Sequence, residues 1–580
     1  MTKSISEQAN CMTVVIGKNA SKTGSVLVAH NEDDYIHAKV RHHYVPARIW
    51  EEGTLLPAEE GLTRIPQIRR TFAYAWAEII GENGGLATSD CFLNENGVCV
   101  VSDSSCGSRV DAEDPACCAD GIVYELRRAV AERAKSASHA LEVACELIDR
   151  YGYASAGRIY FFADRDEAYM MQIVRGKNYA ACRIPDDAIA VMPNHYTIHS
   201  LKDCVRYSDT LVSHALEKGW YKPETEDHSD FDFAKVYQDP KTWLHPENTL
   251  RQKYATQLLL GREWDMEKDG FPPFVKANKP VGIRELIDVM ATHYEGSKVD
   301  IRFSPGATPH ETSVRRVCTA TTVEAVICDF AGDAKKTTVW TTLGRPCGLM
   351  FIPLHPLFGE VSALETYADP FEAAKTHFSK KPRATCHESG IWQKMQDFQN
   401  LLEFKYAERI DEVRSMNKTL FESLYANEIK LRNDPSGDFA AADATALSTA
   451  AEAMEEYLSK EPKLVDACIT DVHIDQIDGA ARATVAFRLD RTPDAFSLLF
   501  GPGRTQISQS FALPVAGGLV KTGVDTWQAQ FLFERQPLKA DGEGTYEFIL
   551  GGKDTSGRCF CGMTLVCLDE KGCGSLRADN

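Results

Sequence analysis

The 580-residue chain is 44% hydrophobic and 25% charged, the balance of a soluble globular protein, and it is long enough for two or three domains. A net charge of -19 disfavours nucleic acid or an anionic membrane surface as partner, and no stretch approaches the roughly 20 apolar residues that span a bilayer. The 18 cysteines are scattered over a chain with enough apolar residues for ordinary cores, so they read as mostly reduced thiols in a cytoplasmic, reducing compartment.

Residues 1–10 carry no apolar run of signal-peptide length and no fold signal, and they read as a removable prosegment. Two apolar runs follow, 12–16 and 26–29, around a polar turn with Asn19, Ser21 and Gly24, the pattern of a β-hairpin. Folding back brings Cys11 beside His30, Asn31, Glu32 and Asp33, so that a thiol faces a carboxylate and an amide. Cutting the bond between Asn10 and Cys11 would give Cys11 a free α-amine of pKa about 7.7 to 8.0. One residue then carries both nucleophile and general base. A small buried residue at a strand start is the plainer account of a lone cysteine.

His42 and His43 are adjacent on a predicted strand and point to opposite faces, which argues against a shared metal ion. Residues 71–80 read as a strand, 81–85 as a loop, and Asn96-Gly97 as a tight turn before a short buried strand at 98–101. Ser102, Asp103 and Ser104 form its polar end, where backbone N–H groups can face a reacting carbonyl. Apolar spacing predicts a helix over 120–151 stopped by Gly152, then strands at 158–163 and 168–174. The strand at 188–196 carries Asn194, either a turn former or an amide aimed at an oxyanion. Helices are expected at 205–218 and 250–260, and Arg251 opens the second. A further helix is expected at 283–294, strands at 314–329, 336–343 and 349–353, and helical spacing over 391–424. A polar linker at 431–437 and an alanine-rich helix at 439–458 lead to a region of short strands from residue 464, read as a small β-sandwich. Cys559, Cys561, Cys567 and Cys573 lie there with C-x-C-x5-C-x5-C spacing, which lacks the paired knuckles of structural zinc sites.

From Cys11 to about residue 424 the ordered motifs resemble the C69 dipeptidases, cysteine members of the N-terminal-nucleophile hydrolases. They are Cys11-Met-Thr-Val-Val-Ile-Gly17 with Thr23-Gly24-Ser25, Ala29-His-Asn-Glu-Asp33, Asn94-Glu-Asn-Gly-Val98, Arg183-Ile-Pro-Asp-Asp187, Val191-Met-Pro-Asn194, His293-Tyr-Glu-Gly296, Thr319-Ala-Thr-Thr-Val-Glu324 and Trp340-Thr-Thr-Leu-Gly-Arg-Pro346. The resemblance implies an α+β chain with a four-layer αββα sandwich over residues 11–430. A linker and helix at 431–463 and a β-sandwich-like domain at 464–580 would follow. It implies Cys11 as nucleophile, Asp33 as holder of the α-amine, Asn194 and the backbone at Ser104 as oxyanion donors, and Arg251 as the family's late arginine. His30 stands where the family commonly has arginine, and a neutral imidazole would not replace a guanidinium.

The expected activity is hydrolysis of short peptides, dipeptides above all, with no metal or other cofactor required. Asp103, and His30 beside it, are candidates for the substrate end, Asp103 for a substrate's free amine. A non-peptide amide hydrolase, a secernin-like protein without peptidase activity, and a binding protein working through its β domain are the alternatives. Expected partners are a small peptide and a second copy of the chain.

Overall fold

The structure is a computed structural model and describes residues 11–34, 38–80, 86–87, 91–103, 107–300, 309–310, 314–358, 390–404, 406–460, 465–477, 480–502, 510–534, 545–556, 559–568 and 574–576. The segment 1–10, the loop 81–85 and Ser104 lie outside these residues, as do Cys573 and the side chains of Cys559, Cys561 and Cys567.

The chain is α+β. Its first sheet orders seven strands as Val275–Lys276, Ala188–Met192, Met12–Ile16, Leu27–Asp33, Thr322–Asp329, Thr338–Thr342 and Ile352–Leu354. The main path of the second runs Cys204–Tyr207, Tyr179–Ile184, Ala168–Ile173, Arg158–Ala163, Cys99–Asp103, Cys91–Asn94, Tyr74–Ile80 and Lys39–Val45. Side-chain alternation along a strand gives each sheet two buried faces. Val15, Val28, Ala190 and Val326 of the first sheet share a core with Val101, Phe161, Met170 and Cys182 of the second. The other face of the first sheet, with Met12, Val14, Ala29, Ile327 and Trp340, packs on Leu286 and Val289, Met395 and Phe398, and Phe421. The other face of the second sheet, with Tyr160, Phe162 and Met171, packs on Leu126, Val130, Leu141 and Ile148.

The hairpin comes from chain chemistry. Gly24 takes φ 73° in its turn, a left-handed conformation that glycine adopts at little cost. Gly17 packs so closely on the carbonyl oxygens of Pro185 and Asp186 that a Cβ would collide with backbone, which fixes the hairpin against its neighbour.

Local signals deviated where capping or packing intervened. The helix expected over 120–151 is two, Glu125–Arg133 and Ala137–Tyr151. Ala134 is extended, and Ser136 caps the second by accepting from the backbone N–H of His139. Residues 204–207 form an edge strand, and the helix there is only Leu211–Glu217. The strand expected over 314–329 is confined to Thr322–Asp329.

The helix Phe439–Lys460, expected within a linking region, contributes Ala446, Leu447, Ala450, Met454 and Tyr457 to the core beneath the first sheet. His355 Nδ1 also pairs with Asp443 at 2.7 Å. The helix therefore packs as part of the N-terminal domain. Beyond it, the described strands from Val465 onward form one ten-stranded sheet, nine in a single hydrogen-bonded order and Val465–Asp466 pairing with Cys559–Leu568 off that path, with a core that includes Phe487, Phe496, Phe531 and Phe560. Phe496 and Phe531 lie on strands far apart in that order with ring centroids 5.9 Å apart, so the sheet curls over a single interior. Among the described residues no helix is long and apolar enough to cross a membrane.

Candidate active site

Strand register assembles the site. Met12 faces Asn31 and Thr13 faces Met192, so continuing each ladder by a residue or two sets Cys11 between Glu32 and Asn194. Alternation then sends Cys11, Thr13, His30 and Glu32 toward the second sheet, and Asn31 and Asp33 toward the helices.

The Cys11 thiol is 0% exposed and donates to Glu32 Oε1 at 3.2 Å, with the Asp33 carbonyl oxygen 3.9 Å away. Glu32 Oε2 lies 3.2 Å from His30 Nε2. His30 Nδ1 meets Thr13 Oγ1 at 2.9 Å and Asp103 Oδ1 at 3.4 Å, and Thr13 Oγ1 donates to Asp103 Oδ1 at 3.0 Å. Burial alone would depress the imidazole. The hydrogen bonds and charges of Asp103 and Glu32 outweigh it and hold the His30 pKa well above its ordinary value. That direction favours a charged imidazole between the two carboxylates. Asp103, 0% exposed at the end of Cys99–Asp103, meets both Thr13 and His30 through its Oδ1.

On the other side, Pro246 opens the helix Pro246–Leu260, and Asn248 and Arg251 sit one turn apart on one face. Arg251 donates to the Cys11 carbonyl oxygen at 2.9 Å, to Asn194 Oδ1 at 2.7 Å and to Asn248 Oδ1 at 2.6 Å. Asn248 Nδ2 in turn donates to the Asn194 backbone carbonyl at 3.0 Å. Arg251 is 1% exposed, and burial followed by the charge of Arg315 lowers its pKa to about 10, which leaves it cationic near neutral pH. It holds the oxygen end of the Asn194 amide and so fixes which way the side chain is flipped. Asp33 accepts from Thr322 Oγ1 at 2.6 Å and pairs with Arg315.

The structure thus brings Cys11, His30, Asp33, Asp103, Asn194 and Arg251 to one end of the paired sheets. Thr13, Asn248, Arg315 and Thr322 were missed by sequence reasoning, and each has a site partner 54 or more positions away, although Thr13 also meets His30 and Asn248 also accepts from Arg251. His42 and His43 bind different carboxylates, Glu324 at 2.5 Å and Glu78 at 2.7 Å.

His30→Gln is expected to destabilise the fold by roughly 3–5 kcal/mol, because it leaves two buried carboxylates without their cation. Since the folded pKa is raised, the contribution is fully present below the unfolded value near 6.5 and is lost as pH rises through the folded one. Urea unfolding of both proteins across a pH series should show the gap narrowing on the alkaline side. A gap that widened there would contradict the charged-imidazole assignment.

Residues 10–418 match the sequence profile of peptidase family C69, and the chain belongs to that family. It is similar to a protein of Latilactobacillus sakei named "Probable dipeptidase", at 26% identity over 377 residues, covering 63% of this chain and 77% of the relative. A "Probable dipeptidase B" of Lactococcus lactis is 23% identical over 315 residues, covering 50% of this chain and 62% of the relative. A protein of the same name from Streptococcus pyogenes is 25% identical over 234 residues, covering 40% and 46%. The chain thus spans less than two thirds of the length of the latter two.

Proposed function

We propose that this C69 peptidase is an N-terminal cysteine hydrolase that cleaves short peptides, dipeptides above all. The observation that carries the reading is the placement of Cys11, its thiol on Glu32 and its carbonyl oxygen on the arginine that also holds Asn194. The paired sheets with helices on their outer faces fit the αββα sandwich of N-terminal-nucleophile hydrolases, and the names of the relatives supply the substrate class.

In this mechanism removal of residues 1–10 frees the Cys11 α-amine, and Asp33, oriented by Thr322 and Arg315, holds it. The amine takes the thiol proton, and the thiolate attacks the substrate carbonyl carbon. The Asn194 amide N–H2, with a backbone N–H near Ser104, stabilises the oxyanion. As the C–N bond breaks, the proton passes from the ammonium to the leaving amine. Water then attacks the thioester, gives its proton to the amine, and releases the acid with regeneration of the thiol. His30 and Asp103 act as positioning residues that hold Glu32 and Thr13.

The 3.2 Å contact between thiol and Glu32 favours one addition. Before cleavage no α-amine exists, so Glu32 accepts the thiol proton when Cys11 attacks the Asn10 carbonyl and returns it to the Cys11 nitrogen as the Asn10–Cys11 C–N bond breaks. Water then hydrolyses the resulting thioester, releasing residues 1–10 as the acid and restoring the thiol. Intact mass of active material is expected to begin at Cys11, and Glu32→Gln is expected to retain residues 1–10. A fully active enzyme that still carries Met1 would sink the mechanism. A dipeptide panel tests the substrate class, and hydrolysis confined to non-peptide amides would replace it.

A further inference from the structure

Among the described residues, four buried side chains away from Cys11 converge as metal ligands do. They are His293, His310, Cys318 and Cys347, whose ligating atoms all lie within 4.8 Å of one another. The two imidazole Nε2 atoms are 3.1 Å apart, and His310 Nε2 is 3.7 Å from Cys318 Sγ and 3.6 Å from Cys347 Sγ. A tetrahedral zinc site with Zn–N of about 2.05 Å and Zn–S of about 2.3 Å has edges of about 3.3 Å between nitrogens and about 3.6 Å between nitrogen and sulfur. The observed separations are close to those edges.

The surroundings fit as well. His310 Nδ1 donates to both oxygens of Glu403, at 2.9 and 3.0 Å, which turns the lone pair of Nε2 inward, and Arg345 pairs with that carboxylate. The outward Nδ1 of His293 meets Tyr406 Oη at 3.2 Å. A carboxylate behind a ligating histidine is the usual outer support of a zinc site. A hydrogen bond between the two Nε2 atoms would account for one contact only and would leave both sulfurs aimed at the same point. Two thiolates and a divalent ion sum to zero charge, an arrangement that suits a site closed to water.

We infer that His293, His310, Cys318 and Cys347 form a structural Cys2His2 site for a divalent metal, zinc by its ligand chemistry. The four ligands come from the turn after Ile283–Met290, the segment before Thr322–Asp329, and the loop between Thr338–Thr342 and Ile352–Leu354. In that loop Gly344, at φ 145°, has no room for a Cβ beside Gln399. Cys318 lies between Arg315 and Thr322, the two partners of Asp33, so the metal would pin the segment that orients the Asp33 carboxylate. The chemistry proposed at Cys11 stays free of metal.

The full chain, purified without added chelator, should contain about one zinc per molecule. The zinc should persist in Cys11→Ala and in Cys99→Ser, whose thiol belongs to a separate cysteine cluster, and should be lost in Cys318→Ser with Cys347→Ser. Should the double variant fail to fold, X-ray absorption on the wild-type zinc protein decides the matter, with a shell of two sulfurs and two nitrogens expected. Absence of stoichiometric zinc after reconstitution, a shell without sulfur, or a native disulfide between Cys318 and Cys347 would each overturn the inference.

Discussion

Cys11→Ala is expected to lower peptide hydrolysis by on the order of 10⁴-fold or more, with thermal unfolding close to wild type. The size follows from nucleophile removal in covalent catalysis, where the remaining donors still bind but no acyl intermediate forms. The small stability change follows from the lesion. One sulfur is lost at a strand start, and Glu32 keeps its contact with His30, so the cost is about 1 kcal/mol. Cys11→Ser should retain weak turnover at most, because an alcohol is much harder to ionise than a thiol. Both are expected to be slow in losing residues 1–10, since the same thiol opens that bond. Wild-type turnover in Cys11→Ala would remove the nucleophile assignment, and a large fall in unfolding temperature would make Cys11 a packing residue.

The second large effect concerns where the N-terminal domain ends. A chain ending near residue 431 loses Phe439, Leu447, Met454 and Tyr457, all buried, and leaves His355 without Asp443. At roughly 1.5–3 kcal/mol for each large apolar side chain, the loss is about 6–12 kcal/mol, comparable to the ~5–15 kcal/mol total stability of an ordinary domain. That truncation is expected to be unfolded or aggregated. A chain ending near residue 463 keeps the helix and is expected to unfold cooperatively and to cleave dipeptides as the full chain does. Circular dichroism melts and a dipeptide assay on the two proteins separate the cases. If the shorter one folds and works, the helix is a linker after all. If the longer one gains cleavage of long peptides, the β domain gates the site.

Much of the site was legible because it lies near the hairpin in sequence. Two apolar runs and a turn were enough to predict that Cys11 meets the polar group at 30–33, and Asn194 could be read as a strand end. What could not be read were the long-range partners. Arg315 and Thr322 lie on a stretch expected to be a plain strand, and nothing local marks them as holders of Asp33. The charge on His30 could not be read for a related reason. A ring's protonation depends on what surrounds it, and Asp103 arrives from another sheet. The four converging histidines and cysteines have irregular separations of 17, 8 and 29 positions, which match no knuckle spacing and become a cluster only when the strands are in place. The two-sheet expectation for the C-terminal region rested on alternation, which fixes the inward residues and leaves the closure of the sheet open.

The hairpin's pairing makes the site sensitive to parity. Cys11 meets Glu32 because both stand on the same side of two strands whose residues face alternately one way and the other. An insertion within the turn around Gly24 changes the length of chain between the two residues and leaves their meeting intact. A single residue inserted within Met12–Ile16, between Cys11 and the turn, acts like a frameshift of faces, rotating the thiol away from the carboxylate toward the helices. Two inserted residues restore the side but carry the thiol beyond Arg251 and Asn194. Length variation in this family should therefore collect in the turn and be absent from the five residues after the nucleophile, however permissive their apolar composition looks.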